Sequence, residues 1–442
     1  MLSAFVSAFR TPDLRRKILF TLGLILLYRV GASLPSPGVD YKAVRECVDQ
    51  VSGESGGIYQ LINLFSGGAL LQLSVFAIGI MPYITASIIV QLLTVVIPRF
   101  EELRKEGQSG QTKMTQYTRY LSIALAILQA TGLVALAARG QLMKCQKDIV
   151  ADSSIFGMII IVLVMTAGAA LVMWFGEQIT ERGVGNGMSL LIFAGIAARI
   201  PSEGKNILDS KGGLIFGLVC VGAFLVIAGV IFVEQGQRRI PVQYAKRVVG
   251  RKMYGGSSTY LPLKVNQAGV IPVIFASSLL YLPNLVSQLT QSSGGQQSSS
   301  GWQGFIQKYL VNPTNPVYII IYFALIVFFT YFYVAITFNP EERADEMKKF
   351  GGFIPGYRPG KPTADYLSYV LGRITLPGSI YLGAVAVLPN LALHLGGGGG
   401  SNGMQNLPFG GTAVLIMVSV GLDTVKQIES QLMNRNYEGF LK

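Results

Sequence analysis

Apolar and polar positions divide the chain into long hydrophobic segments separated by polar connections. Ten segments approach or reach the roughly 20 residues that an α-helix needs to cross the hydrocarbon core of a bilayer. They are residues 18–34, 70–97, 117–138, 154–176, 187–200, 213–233, 266–283, 315–338, 374–394 and 407–422. The pattern therefore predicts an all-α polytopic membrane protein with ten transmembrane helices, of which the fifth and the tenth are short.

Lysine and arginine are distributed unevenly among the predicted connections. With the N-terminus placed inside, the inner connections hold 26 basic residues and the outer ones 9. Basic residues concentrate on the cytoplasmic side of membrane proteins, so both termini are predicted to be cytoplasmic. No small-residue cleavage site follows the first apolar segment, which is therefore predicted to be a retained helix and not a signal peptide.

The composition agrees with a membrane protein and argues against several kinds of enzyme. The 442-residue chain is 51% hydrophobic and 13% charged, whereas about 25% of residues are charged in a typical soluble domain. A single histidine, His394, rules out a multi-histidine metal site, and no P-loop string G-x-x-x-x-G-K-[ST] occurs. We expect no enzymatic activity, no cofactor and no metal site.

The three cysteines leave one question open. Cys220 falls within a predicted helix and is expected to be a small core residue. Cys47 and Cys145 both fall in outer connections, where disulfides persist. A bridge between them and two separate thiols are both compatible with the sequence.

A nine-residue motif occurs twice. Residues 79–87 and 269–277, in the second and seventh segments, both read G-x-x-P-x-I-x-A-S. Residues 187–192 and 411–416, in the fifth and tenth, match more weakly. A repeat offset by five spans is inverted in the membrane and has its functional path at the repeat interface. Unless the matches are a coincidence of apolar composition, the chain forms two inverted five-helix repeats, residues 1–200 and 201–442.

The repeat makes several branched apolar residues equivalent. The equivalent pairs are Ile84 with Ile274, Ile80 with Val270, and Ile192 with Ile416. Around a pseudo-two-fold axis such side chains would form a hydrophobic constriction that water and ions cross poorly. The alternative is that they are ordinary isoleucines facing lipid or neighbouring helices.

Two further features lie near this predicted constriction. Residues 58–68 form an apolar segment too short to cross the membrane, flanked by glycine pairs, and would be either a movable plug or a static interfacial helix. Gln91 and Asn266 or Gln267 lie at matched depth and would form either a polar latch between the second and seventh spans or contacts with headgroups and water.

Two long cytoplasmic connections, residues 234–265 and 339–373, carry 13 of the 26 inner basic residues. In the first, β-branched residues around Gly250 predict a hairpin between Ile240 and Tyr260. Their length and charge predict docking arms for an acidic partner or for RNA phosphate. The alternative is that the charges serve only as topology signals.

Six sequence strings, spread over nearly the whole chain, point to a known family. They are NLFSGGAL at 63–70, GIMPYI at 79–84, GEQITERG at 176–183, GQRRI at 236–240, NQAGVIP at 266–272 and PGYRPG at 355–360. With these strings the chain resembles the SecY family (SecY/SEC61-alpha), the channel subunits of the bacterial Sec protein translocase. The resemblance implies a clamshell of two halves, hinged between helices 5 and 6, in the bacterial plasma membrane.

The resemblance also implies roles for individual residues. The pore ring would comprise Ile80, Ile84, Met188, Ile192, Ile274 and Ile416, with Met188 standing where the family often has isoleucine. The plug would comprise Leu61, Asn63, Leu64, Phe65, Ser66 and Gly67. The lateral gate, between helices 2 and 3 on one side and 7 and 8 on the other, would include Ser87, Gln91, Asn266, Gln267 and Leu282. Docking of partners would use Arg238, Arg239, Arg247, Arg251, Lys252, Arg358 and Tyr437.

The implied function is a protein-conducting channel that passes unfolded secretory polypeptides and releases transmembrane segments laterally into lipid. The implied partners are the SecE and SecG subunits, the SecA motor ATPase, the ribosome, clients with signal sequences, and membrane lipid. An inverted-repeat secondary transporter of small solutes is the alternative. Such transporters usually carry ionisable residues within their spans, and here only Arg29 is clearly intramembrane.

Overall fold

The computed structural model describes residues 9, 11–40, 44, 68–70, 72–138, 154–244, 247–249, 252–254, 258–290, 315–395 and 411–439. These residues form long α-helices and a few short strands. The helices are α1 (Pro12–Ser33), α2 (Met81–Val96), α3 (Pro98–Lys105), α4 (Gln108–Ala138), α5 (Ile155–Arg182), α6 (Gly187–Lys211), α7 (Gly213–Gln235), α8 (Ile271–Thr290), α9 (Pro316–Thr337), α10 (Pro340–Lys349), α11 (Lys361–Leu395) and α12 (Gly411–Gly439).

A helix occupies each of the ten predicted segments, but several boundaries differ. The second segment was expected to be apolar helix from residue 70, whereas residues 72–80 form turns and α2 begins only at Met81. Pro82 explains the late start, because proline is favoured in the first helical turn, where its missing N–H costs nothing. The predicted short fifth and tenth spans correspond to longer helices, α6 with 25 residues and α12 with 29.

Proline also explains the sharp bend between α2 and α3. The two helices meet at about 100°. Ile97, between them, is extended with φ −106° and ψ 114°. Because a residue that precedes proline is disfavoured in the α region, Pro98 ends α2 and starts α3 in a new direction.

Length and hydropathy qualify four helical stretches of the described chain as membrane-spanning, or five if the bent pair α2–α3 counts as one span. The four are Gln108–Ala135, Ile155–Arg182, Pro316–Lys349 and Lys361–Leu388. Large apolar side chains such as Leu26, Leu163 and Phe224 are mostly exposed on the helix surfaces. The fold is therefore that of a multi-pass helical membrane protein, and the count of ten crossings stays a prediction.

The short strands form two small antiparallel sheets. In the larger, β1 (Gln237–Tyr244) lies between β4 (Ser258–Lys264) and β5 (Gly352–Phe353). The second consists of β2 (Arg247–Val249) and β3 (Lys252–Tyr254). The predicted hairpin is confirmed, with Ile240 opposite Leu261, although its first strand begins earlier, at Gln237. Strand β5, from the other long connection, joins the same sheet, which the sequence pattern did not indicate.

The main apolar core lies where helices of the two halves of the chain meet. Helix α8 packs against α2, α4, α9 and α11, and α12 packs against α6, α7 and α11. The largest buried cluster draws residues from most of these helices. This packing brings the repeated motifs, which start α2 and α8, into one region of the molecule.

Candidate functional site

The site is built on two copies of one turn. Gly79 and Gly269 both have φ +61°, a left-handed conformation that glycine adopts without steric cost. Two residues later, Met81 and Ile271 are the first residues of α2 and α8. The sequence repeat is therefore also a repeat of local structure.

The hydrogen bonds of the two turns correspond as well. The carbonyl of Ile80 accepts from the amides three and four residues later at 3.1 and 3.2 Å. The carbonyl of Val270 accepts from the corresponding amides at 3.1 and 3.3 Å. In the weaker repeat pair, α6 and α12 likewise begin at the matched glycines, Gly187 and Gly411.

All residues predicted for the pore ring belong to one apolar cluster. Five residues at repeat-related positions are at most 7% exposed: Ile80, Ile192, Val270, Ile274 and Ile416. Ile84 and Met188 are half-buried and pack against the same cluster. A side chain at Gly176 would collide with the sulfur of Met188, so this glycine makes room for Met188. Branched and flexible apolar side chains are the kind that line hydrophobic constrictions in channels.

The predicted gate residues lie on α2, on α8 and directly before α8, and they do not form the predicted latch. Gln91 donates to Ser87 within α2 at 3.5 Å, and Gln267 accepts from the amide of Lys264 at 3.2 Å. Within the described ranges no hydrogen bond joins Gln91 to Asn266 or Gln267, so the latch hypothesis is wrong for this structure. Leu282 lies in α8.

Asn266 has a stronger partner than Gln91. Its Nδ2 donates to Glu234 Oε1 at 2.6 Å and to the carbonyl of Gly269 at 3.1 Å. Ser419 Oγ donates to the same carboxylate oxygen at 3.1 Å. A carboxylate accepts more strongly than a side-chain amide, which explains why Asn266 turns towards Glu234. Sequence reasoning missed Glu234, whose only signal was an acidic residue directly after the apolar stretch of α7.

Three of the predicted docking residues lie on the larger sheet and on the turn that follows β5. Arg238, Arg239 and Arg358 are exposed, and the guanidinium of Arg239 lies 4.8 Å from the centre of the Tyr260 ring. The backbone of Arg358 is held by the hydroxyl of Thr363, which donates to its carbonyl at 2.8 Å. Arg247, Lys252 and Tyr437 belong to β2, β3 and α12. Arg251 and the plug residues 61–67 lie outside the described residues, as do Cys47 and Cys145.

The fold and this site define a class: a multi-pass helical membrane protein in which two copies of one turn-and-helix motif meet at a buried apolar cluster. The family model for SecY matches residues 74–425 of the chain. Protein translocase subunit SecY of Mycobacterium tuberculosis is 74% identical over 444 residues, covering 100% of both chains. The corresponding subunit of Corynebacterium glutamicum is 62% identical over 442 residues, again covering 100% of both chains. The chain belongs to the SecY family.

Solved structures agree with this fold. A structure described as that of a protein conducting channel matches with a TM-score of 0.64 and 20% identity, covering 94% of this chain and 91% of the other. Sec61 in the canine ribosome-channel complex from the endoplasmic reticulum matches with a TM-score of 0.61 and 19% identity, with the same coverage. The alternative of a small-solute transporter receives no support from these matches.

Proposed function

We propose that this chain forms the central protein-conducting channel of a Sec translocase. It passes unfolded secretory polypeptides across the plasma membrane and releases transmembrane segments laterally into lipid. The observation that carries the proposal is the apolar cluster at the meeting point of the repeated motifs of α2 and α8. Membership of the SecY family supports it, since the full-length relatives are translocase subunits.

The closed channel is sealed by the pore ring. The proposed ring comprises Ile80, Ile84, Met188, Ile192, Ile274 and Ile416. Its support is that these side chains are branched or flexible, apolar, and part of or packed against one cluster. Hydrating such a constriction is unfavourable, so ions are excluded while no polypeptide is present. A translocating chain displaces these side chains and takes their place, and the unbranched Met188 adapts most readily to its contours. We expect a plug formed by residues of about 58–69 to support the seal.

The lateral gate is the seam between α2 and α4 on one side and α8 and α9 on the other, and α8 packs against both α2 and α4. Ser87 and Gln91 lie on α2, Asn266 and Gln267 directly precede α8, and Leu282 is part of α8. In lipid there is no hydrophobic driving force that holds two apolar helices together. Movement of the halves, residues 1–200 and 201–442, can therefore open this seam without exposing apolar groups to water.

One polar contact crosses between the halves on the cytoplasmic side of this seam. Arg104 in α3 donates from Nη2 to the carbonyl of Ile336, at the end of α9, with a distance of 2.7 Å. A cation at the C-terminal end of a helix complements the helix dipole. The side chain is exposed, so the contact is weak enough to break when the halves separate.

Docking takes place on the cytoplasmic sheet and the adjoining turn. Arg238, Arg239 and Arg358 are exposed there, and clustered guanidinium groups bind carboxylates and RNA phosphates. We propose the SecA motor ATPase and the ribosome as partners at this surface, with SecE and SecG as companion subunits. Both termini are cytoplasmic in this arrangement. The likeness to Sec61 in a ribosome-channel complex supports the ribosome as one partner.

Reconstitution tests the proposed function. The chain is purified with SecE and SecG and placed in proteoliposomes with SecA, ATP and a radiolabelled secretory precursor. Protease-protected precursor that depends on ATP is the expected result, with no uptake of labelled amino acids or sugars. ATP-independent uptake of a small solute without precursor protection would contradict the proposal.

A further inference from the structure

The cytoplasmic hairpin is closed at its membrane end by one buried contact. Gln237 and Lys264 form the last residue pair between β1 and β4, and the amide of Val265 donates to the carbonyl of Gly236 at 3.0 Å. Directly beyond this point, Asn266 donates to Glu234 at 2.6 Å. The side-chain contact therefore continues the ladder of the hairpin into the helical part of the molecule.

Two other helices fix the same contact. Ser419 of α12 donates to Glu234 at 3.1 Å. Gly378 of α11 packs against the carbonyl of Val265 so closely that a side chain there would overlap it. Glu234, Asn266 and Ser419 are only 8%, 3% and 4% exposed. The base of the hairpin is thus held between α7, α11 and α12.

The contact also reaches the first turn of α8. The same Nδ2 atom of Asn266 donates to the carbonyl of Gly269 at 3.1 Å. Gly269 is the left-handed residue that precedes α8, which begins at Ile271. Asn266 consequently joins the carboxylate at the base of the hairpin to the turn that sets the direction of α8.

The other copy of the repeat is anchored differently. Phe76 occupies the position that corresponds to Asn266, three residues before Gly79. Its ring packs against Gly31, stacks on Tyr28 with centroids 6.0 Å apart and meets Phe175 edge-on at 6.3 Å. Apolar packing of this kind is non-directional, whereas a buried carboxylate that loses its hydrogen bonds is strongly destabilised. Among the described residues, the α8 copy is therefore held by directional hydrogen bonds to a carboxylate, and this is also the copy that joins the hairpin.

We propose that Glu234 is a positioning residue that couples the cytoplasmic sheet to α8. A partner that docks on the sheet and moves it then moves α8 relative to α2. This inference rests on the proposed function, because it takes α2 and α8 as the two sides of the gate. Coupling of this kind is a free energy shared by two sites, so it acts in both directions: docking shifts the gate, and the state of the gate shifts docking affinity.

The first experiment measures docking and gate movement separately. The channel, with Cys47, Cys145 and Cys220 replaced by serine, carries Ser87→Cys and Leu282→Cys with spin labels and is placed in nanodiscs. Purified 70S ribosomes are the probe. In the parent we expect ribosomes to change the distance between the labels. In Glu234→Ala and Asn266→Ala we expect this change to be lost while ribosome affinity stays within about twofold, because the docking residues are untouched.

If Glu234 only stabilised the fold, its replacement would weaken ribosome binding itself. A second measurement therefore tests the coupling in the opposite direction, from the gate to the docking surface. Closing the gate by a crosslink between Ser87→Cys and Leu282→Cys should alter the ribosome dissociation constant of the parent. In Glu234→Ala the crosslink should leave that constant unchanged. Glu234→Gln should retain part of the coupling, since its amide oxygen can still accept from Asn266 and Ser419.

The matched control is Tyr381→Phe in α11. The Tyr381 hydroxyl is buried and has no hydrogen-bond partner among the described residues, so its removal should leave the coupling intact. The proposal is overturned if Glu234→Ala responds to ribosomes as the parent does, or if the parent shows no distance change. Failure of the proposed function would be seen separately, as absence of precursor export by the parent channel in proteoliposomes.

Discussion

Gly79 and Gly269 lie 190 positions apart and share one backbone conformation, φ +61°, each two residues before the start of a helix. The residues that follow them, Ile80 and Val270, are both buried in the same apolar cluster. The two equivalent turns therefore place equivalent side chains in the same apolar cluster. This relationship links the sequence repeat to the proposed constriction and leads to the first of several predictions.

Gly269→Ala should destabilise the chain by about 1 kcal/mol, because a left-handed conformation costs an L-residue roughly 1–2 kcal/mol. A Cβ atom there would meet no atom within 4 Å, so the loss of stability would report the cost of the backbone conformation and not a steric clash. Gly269→Asn should cost less, since asparagine tolerates this region better. Thermal unfolding in detergent measures the effect. Gly217→Ala in α7, where space is also open and φ is ordinary, is the control, and equal melting temperatures for the two alanine variants would refute the explanation.

Replacing Ile84, Ile192, Ile274 and Ile416 together with serine should make the resting channel conduct ions, because the dry constriction is lost. Planar-bilayer recordings of the purified channel measure this conductance. A matched control replaces four exposed isoleucines of α5, α9 and α11 with serine: Ile159, Ile160, Ile320 and Ile380. Parent-like resting conductance in the first variant would contradict the ring assignment, and so would an equal leak in both variants.

Cysteines that replace Ser87 and Leu282 should crosslink while the channel is closed, and the crosslinked channel should not export. The physical reason is that a covalent link between α2 and α8 prevents the seam from opening. Export of a precursor into proteoliposomes is measured before and after crosslinking, with reduction of the bond as the control that restores activity. Full export by the crosslinked channel would mean that these helices do not form the gate.

Charge reversal on the cytoplasmic surface should separate two docking functions. Arg358→Glu should block SecA-driven export, and Arg247→Glu with Arg251→Glu should weaken ribosome binding in a salt-dependent manner, as expected for phosphate contacts. Export of a finished precursor and co-translational insertion are measured for both variants. Protease mapping of the loops serves as the control for orientation: inverted protein would identify the residues as topology signals, and two unaffected activities would refute docking.

The ion pair between Arg119 and Glu177 should stabilise the packing of α4 on α5. The guanidinium donates twice to the carboxylate, each time at 2.8 Å, and the Glu177 side chain is only 12% exposed. Glu177→Ala should therefore destabilise the chain by about 1–3 kcal/mol.

The exposed pair Lys105–Glu101 provides the comparison, since its distance is also 2.8 Å but both side chains are more than half exposed. Glu101→Ala should leave the stability almost unchanged, because an ion pair surrounded by water is screened and contributes little. Thermal unfolding of both variants in the same detergent is the measurement. Equal losses would show that burial does not decide the strength of this ion pair.

Much of the fold follows from local sequence patterns. The apolar segments coincide with helices because a segment in lipid must satisfy its backbone hydrogen bonds within itself. Whether a segment is apolar enough to enter lipid depends on its own residues, so it can be read from the sequence. The repeated G-x-x-P motif identified equivalent positions in the second and seventh segments, but the turn that it forms was not predicted, because both segments were expected to be helical from residues 70 and 266. The structure explains the turn afterwards, since glycine permits the left-handed conformation and proline favours the first turn of a helix. The hairpin around Gly250 belongs to the same group of local signals.

What the sequence by itself did not determine are contacts between residues distant in the chain. The amides Gln91 and Asn266 or Gln267 lie at matched depth, so they were expected either to form a polar latch or to meet headgroups and water. The structure instead pairs Asn266 with Glu234. Strand β5 joins β1 across about 100 residues, and Ser419 reaches Glu234 from another helix. Partner choice for a buried polar group depends on which acceptor the packing brings within about 3 Å. The sequence thus determined the position of most helices and of the hairpin, because these depend on local pattern. Only the tertiary structure decided which polar groups meet and where β5 pairs, because both depend on residues distant in the chain.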